Sequence, residues 1–155
     1  MTDYLVRLYD LPEATQPLPP DVVVRRALAP ERRIVVDWVG RNFDRYWIGE
    51  CEVALSAHPI MTWIAVRGDA LLGFACGDAT AKGYFGPTGV LESERRKGIG
   101  AALLMATLRG LREAGYAYAV IGSPGPVEWY TRRLDAMPIP KSNPGFYRGM
   151  LPKDG

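Results

Sequence analysis

Val90-Leu91-Glu92-Ser93-Glu94-Arg95-Arg96-Lys97-Gly98-Ile99-Gly100-Ala101 joins a β-type run to an apolar helical pattern through a basic, glycine-containing turn. Downstream, Leu103, Leu104, Thr107, Leu108 and Leu111 mark one face of a helix, Arg109, Arg112 and Glu113 the other, and Gly115 a stop. Upstream, residues 84–91 (YFGPTGVL) read as a strand interrupted at Gly86 and Pro87, where a bulge or the end of pairing is expected. The junction's local physics is anion binding. The first turn of a helix offers backbone N–H groups without internal partners and about half a positive charge. Glycine at 98 and 100 removes the Cβ atoms that would hold a phosphate away from them. Each exposed helix-end contribution is only ~0.3–1 kcal/mol, so several donors must converge, which suits a diphosphate. The plainer alternative is a solvated charge run beside ordinary loop glycines. The turn is not a Walker loop, since no Gly-Lys-Ser/Thr is present, and it lacks the third glycine of a dinucleotide fingerprint.

The flanking sequence completes an α/β order. Residues 11–21 (LPEATQPLPPD) carry four prolines and read as an extended connection, so residues 1–21 are expected to form a leading arm and 22–155 the folded domain. Residues 22–24 are β-branched. Ile34, Val35, Trp38, Val39, Phe43 and Trp47 then recur near helical period, with Gly40 and Gly49 dividing the pattern into helices near 31–43 and 48–57. Residues 62–66 and 71–76 form a hairpin around Arg67-Gly68-Asp69. A buried strand is expected at 116–121, a proline-initiated helix at 126–134, and two short strands within 139–151, separated by Asn143-Pro144-Gly145.

Composition bounds the function. A chain of 155 residues, 48% hydrophobic and 23% charged, suits one domain with a real core. The longest stretches without Asp, Glu, Lys or Arg, 53–66 and 114–127, fall short of the ~18 residues of a membrane span. Asp3, Arg7 and Asp10 leave no apolar secretory segment, so the expected compartment is the cytoplasm and no membrane partner is expected. Two cysteines and a single His58 make a disulfide framework or a His/Cys metal site a poor expectation. Net charge is +2; the first 90 residues hold 9 basic and 11 acidic side chains and the remainder 10 and 6, which places the anion site in the C-terminal part. So small an excess argues against nucleic acid as a partner.

With strand ending at Val90, Arg95-x-x-Gly98-x-Gly100 and an apolar helix in that order, the sequence resembles the acetyl-coenzyme A motif of the GNAT-type N-acetyltransferase superfamily, and the order of elements agrees over most of 22–151. The resemblance implies an α/β (α+β) fold with a mixed, mostly antiparallel sheet of about six or seven strands flanked by helices. It implies acetyl-coenzyme A as cosubstrate without a metal, its pyrophosphate on the amides of Arg96, Lys97, Gly98, Ile99, Gly100 and Ala101 beside Arg95. It further implies that its pantetheine arm runs along Gly89, Val90 and Leu91, with a backbone N–H near Val90 or Leu91 on the thioester oxygen. Tyr130 falls on the position of the family's general-acid tyrosine. Ser123 falls where the family commonly has asparagine, a shorter hydrogen-bonding group. A phenol of pKa ~10 donating to a thiolate of pKa ~8.5 works uphill by only about 2 kcal/mol.

Direct transfer needs a neutral amine, and no carboxylate lies on 84–91 or 116–121, so the base is not assigned; Asp78 and Glu128 are candidates, each more simply read as a solvated surface charge. By the same resemblance, Trp47, Glu50 and Cys51 lie on the helix that borders the acceptor pocket, where an acid would suit a cationic amine; core packing of Trp47 and Cys51, with Glu50 exposed, is the simpler account. The expected partner is a small-molecule or peptide amine. A non-catalytic acyl-coenzyme A sensor is the alternative, and a twin subunit is one way to cover the C-terminal sheet edge, giving a homodimer.

Overall fold

The structure is a computed structural model that describes residues 2–13, 17–122 and 127–154, and of 127–129 the backbone alone. Its seven strands form one sheet: β1 Tyr4–Arg7, β2 Val22–Arg26, β3 Thr62–Arg67, β4 Ala70–Gly77, β5 Tyr84–Val90, β6 Tyr118–Ile121 and β7 Met137–Pro138. Their order is β2-β3-β4-β5-β6-β1-β7. Every neighbouring pair is antiparallel except β5 and β6. A parallel pair needs a crossover, which α3 (Ile99–Glu113) supplies. The other helices are α1 Arg32–Asn42, α2 Tyr46–Ser56 and α4 Val127–Leu134.

Strand alternation sends successive side chains of β4 to opposite faces. Phe74 meets Trp38, Phe43 and Trp47 of the α1–α2 layer, at centroid separations of 6.3, 5.6 and 6.0 Å. Its neighbour Gly73 faces α3, where an added Cβ would stand 3.0 Å from Leu103. Leu103, Leu108 and Leu111 of α3 are wholly buried, as the helical pattern required. Gly110 lets α3 lie against Trp63 so closely that a Cβ would come within 2.2 Å of the indole. Among the described residues no helix is long and apolar enough to cross a membrane, and no group of three or more His, Cys, Asp or Glu side chains is placed to hold a metal.

Two expectations are corrected. Residues 1–21 are not an arm throughout: Tyr4–Arg7 is an internal strand, paired with β6 on one side and β7 on the other, with Val6 and Leu8 fully buried. A strand this short satisfies its backbone only inside a sheet; the proline-rich chain after it carries the long connection to β2. Nor does 139–151 form two strands. The place beside β6 is taken by β1, and the C-terminal chain continues after β7 through a 3₁₀ turn at Gly145–Tyr147, with Gly145 and Gly149 at positive φ.

Candidate functional site

The site begins where β5 leaves β6. These strands pair only at Tyr84 with Val120 and Phe85 with Ile121. Immediately afterwards the β4–β5 register slips between Ala75 and Gly77, putting an extra residue into β5 at Gly86-Pro87. Gly86 has φ of +118°, a backbone that glycine tolerates. Beyond it β5 follows β4 alone. The Leu91 N–H donates to Leu72 O at 2.9 Å, so the alternation of an antiparallel ladder turns the Thr88 and Val90 N–H groups toward the opened side. Of the two amides expected near the thioester oxygen, Val90's faces the gap and Leu91's is consumed by the sheet. Gly89 lies flat beneath Phe43, 2.7 Å from where its Cβ would be.

The gap opens into a cleft of about 1470 Å³. It is lined by Gly89, Val90, Arg95, Arg96, Gly98, Gly100, Ala101 and Tyr130 among the residues expected from sequence. Gly98 is the residue before α3, at φ +83°, and Arg96 also takes a left-handed backbone, at φ +66°. This alternation curls the turn so that its amides converge on one concavity. None of the N–H groups of 96–101 makes a close, well-aligned main-chain hydrogen bond to another described residue. The turn is therefore neither closed nor self-satisfied.

The basic side chains divide. Arg95 lies over the end of β5, its Nε donating to Val90 O at 3.2 Å, and with Arg96 lines the cleft. Lys97 instead pairs with Glu94 at 3.0 Å, and Glu94 is also gripped by Arg67 at 2.7 Å. Those bonds, Arg67's first, hold the Glu94 carboxyl down at about 2. Lys97 thus offers its amide rather than its ammonium, while the Ile99 side chain is buried in the core. Arg133 of α4, absent from the sequence reading, adds a third cationic lining group.

Tyr130 is 9% exposed on α4 and shares the cleft wall with Phe85 and Ile121; burial raises its phenol above the ordinary value. Ser123 lies outside the described residues, as does the side chain of Glu128. Asp78 is committed to its loop, accepting from Gly83 N–H at 2.6 Å and Tyr116 Oη at 3.1 Å, and does not line the cleft. Cys51 is buried against Cys76, 3.7 Å between sulfurs, and its thiol is pushed far up by that contact and by burial. Trp47 and Glu50 do reach the cleft.

The cleft's remaining wall was invisible in the sequence. Phe146, Tyr147 and Met150 come from the C-terminal chain, which Tyr46 Oη ties to α2 by donating to Leu151 O at 2.6 Å. Asp3, 3% exposed, accepts from Tyr84 Oη at 3.2 Å just behind Gly122. Nothing local in either stretch signals a site.

Residues 23–126 match the model of the Acetyltransferase (GNAT) family. Comparison with curated proteins returned no match. Among solved structures, a GCN5-related N-acetyltransferase from Sphaerobacter thermophilus is similar at 22% identity and TM-score 0.69, over 89% of this chain and 48% of that one. A GCN5-related N-acetyltransferase from Kribbella flavida matches at 23% and 0.59, over 88% and 53%. A GNAT family acetyltransferase from Brucella melitensis, in complex with acetyl-CoA, matches at 22% and 0.50, over 76% and 86%. The chain thus spans about half the length of the Sphaerobacter and Kribbella proteins.

Proposed function

The chain belongs to the GNAT acetyltransferase family, and from that premise we propose that it transfers an acetyl group from acetyl-coenzyme A to a primary amine by direct attack. The observation that carries this reading is the row of unengaged amides at 96–101 opening into the split beside β5. A diphosphate seated there meets the α3 N-terminus with Arg95 and Arg96 alongside. Gly100 supports the fit, because a Cβ there would find only Val90 Cγ2, at 3.8 Å, leaving the space above it for a guest.

In this reading the Val90 N–H polarises the thioester carbonyl and receives the charge that develops on its oxygen. The cleft holds the amine against the carbonyl carbon, and no acyl group passes through Cys51 or Cys76, both of them buried. Tyr130 gives its proton to the departing thiolate and regains one from the amine nitrogen, which sheds it as the amide forms. Its burial makes the phenol a weaker acid, while the same apolar wall destabilises the thiolate, which offsets that loss in part.

The test has two stages. Acetyl-coenzyme A at ~100 times its dissociation constant is expected to stabilise the fold by about 2.7 kcal/mol, and Gly100→Glu to abolish that shift. With an accepted amine, Tyr130→Phe is expected to slow thiol release by about 10²-fold or more while leaving the coenzyme-induced shift in place. An unchanged melting curve for the wild type sinks the reading. A retained shift with no thiol release from any amine returns the acyl-coenzyme A sensor instead.

A further inference from the structure

The cleft's lining carries both signs of charge. Arg95 and Arg96 come from the turn before α3 and Arg133 from α4, while Asp44, just before α2, and Glu50, within it, are its carboxylates. Asp44 is neutralised by its ion pair with Lys153. Glu50 has no cation partner among the described residues; its one hydrogen bond is accepted from the Thr80 hydroxyl. Around it the wall is apolar and aromatic: Trp47, Val53, Met150, and Phe146 stacked on Tyr147 at 4.4 Å.

From this arrangement we infer that the acceptor is an amine with an apolar body and no carboxylate beside its nitrogen, and that Glu50 is the residue that selects it by binding the ammonium form, which releases a proton to water before the neutral amine attacks. The inference rests on the acetyltransferase reading above. A half-buried carboxylate without a counter-charge is costly, and an arriving ammonium removes that cost. The aromatic wall gives an apolar body its contact area, while Glu50 supplies the single convergent charge of a small-molecule site. The Glu50 carboxylate, with no cation beside it among the described residues, repels an anion placed against it. The Tyr147 phenol is pushed up to about 12, by burial first and then by the negative charges of Asp3 and Glu50. An α-carboxylate in the same place meets that repulsion too, which excludes free amino acids. Glu50 itself is held above the ordinary carboxylate range by burial, against the pull of Thr80.

The experiment compares phenethylamine, phenylalanine and glucosamine as acceptors for the whole chain, with thiol release as readout. Phenethylamine is expected to exceed phenylalanine in kcat/KM by about 100-fold, the two differing only in the carboxylate. Glu50→Gln, which keeps a partner for Thr80, is expected to raise the KM for phenethylamine by about 10-fold or more with kcat within about threefold. The acetyl-coenzyme A thermal shift of that variant reports that it is folded and that its coenzyme groove is intact. Preference for phenylalanine or glucosamine, an unchanged KM in Glu50→Gln, or a loss confined to kcat each overturns the assignment. So does failure of all three amines with the thermal shift preserved, which leaves coenzyme binding standing. Loss of the wild-type shift removes the underlying reading and the inference together.

Discussion

Gly98 and Gly100, two residues apart, are glycine for different reasons. Gly98 sits at φ +83°, where any side chain strains the backbone. Gly100 has ordinary helical backbone, and a methyl there would make only ordinary contact with Val90. Nothing in the protein itself forbids alanine at 100, and glycine in a helix costs about 0.5–1 kcal/mol against it. In the proposed reading, the guest is what forbids it. Gly100→Ala is therefore expected to stabilise the free protein by about 0.5–1 kcal/mol in urea unfolding. The same variant should weaken acetyl-coenzyme A about 10-fold in titration calorimetry, by removing close approach to the amides. A variant that is more stable and binds as tightly would show that no ligand atom comes near this position. Arg96 makes the complementary point: a non-glycine residue at φ +66° stores ~1–2 kcal/mol of strain, which the fold tolerates because that turn points its amides inward.

At the scale of elements, legibility followed periodicity. The helices α1, α2 and α3 and the β3–β4 hairpin announce themselves by apolar spacing and by Gly-Asp turn chemistry, and Gly86-Pro87 announces the bulge that frees β5 from β6. The part of the cleft formed by the turn before α3 was readable because it lies within twelve consecutive residues. The part around Glu50 was not, because Glu50, Thr80 and Tyr147 come together only through tertiary packing and share no local pattern. Side-chain direction was equally hidden: Lys97 looks like its neighbours in sequence, but Glu94 turns it away. Glu31 is another such long-reach contact. It clasps β2 to the start of α1, accepting Arg25's guanidinium at 2.8 and 2.7 Å and the Leu28 N–H at 2.8 Å. Arg25's bonds, then Leu28's, lower its carboxyl from 4.5 to about 2 despite burial. A carboxyl depressed on folding contributes stability that is fully present above its unfolded pKa and lost as pH falls toward the folded one. Wild type should thus exceed Glu31→Gln by about 1 kcal/mol at neutral pH, allowing for solvent screening of a partly exposed pair. The gap should close between pH 4.5 and about 2. Urea midpoints measured across that range check it; a gap that persists at pH 2 would assign the effect to packing instead.

For the molecule as a whole, the segment hardest to foresee has the widest reach. Tyr4–Arg7 closes the outer side of β6, whose inner side is the strand that parts from β5. One short strand thereby connects the chain's beginning to the geometry of the split. Its sequence gave little warning, since four residues carry no period worth counting and the prolines after them favour an arm. Burial says otherwise: Val6 and Leu8 are fully enclosed, and the Leu8 N–H donates to Ala117 O at 2.9 Å, just ahead of β6. Leu8→Ala is accordingly expected to cost about 2–5 kcal/mol, the range for a large-to-small change in a closed core. Removal of residues 2–10 strips β6 of its partner and exposes an unpaired edge along the wall that carries Ile121. The truncated chain should lose its cooperative melt in circular dichroism and become open to proteolysis. Leu8→Ala, destabilised but folded, should regain stability with acetyl-coenzyme A by the same increment as wild type, since binding acts on the folded population in both. If the 2–10 deletion melted as the full chain does, the first residues would be an arm after all, and the placement of β1 inside the sheet would be wrong.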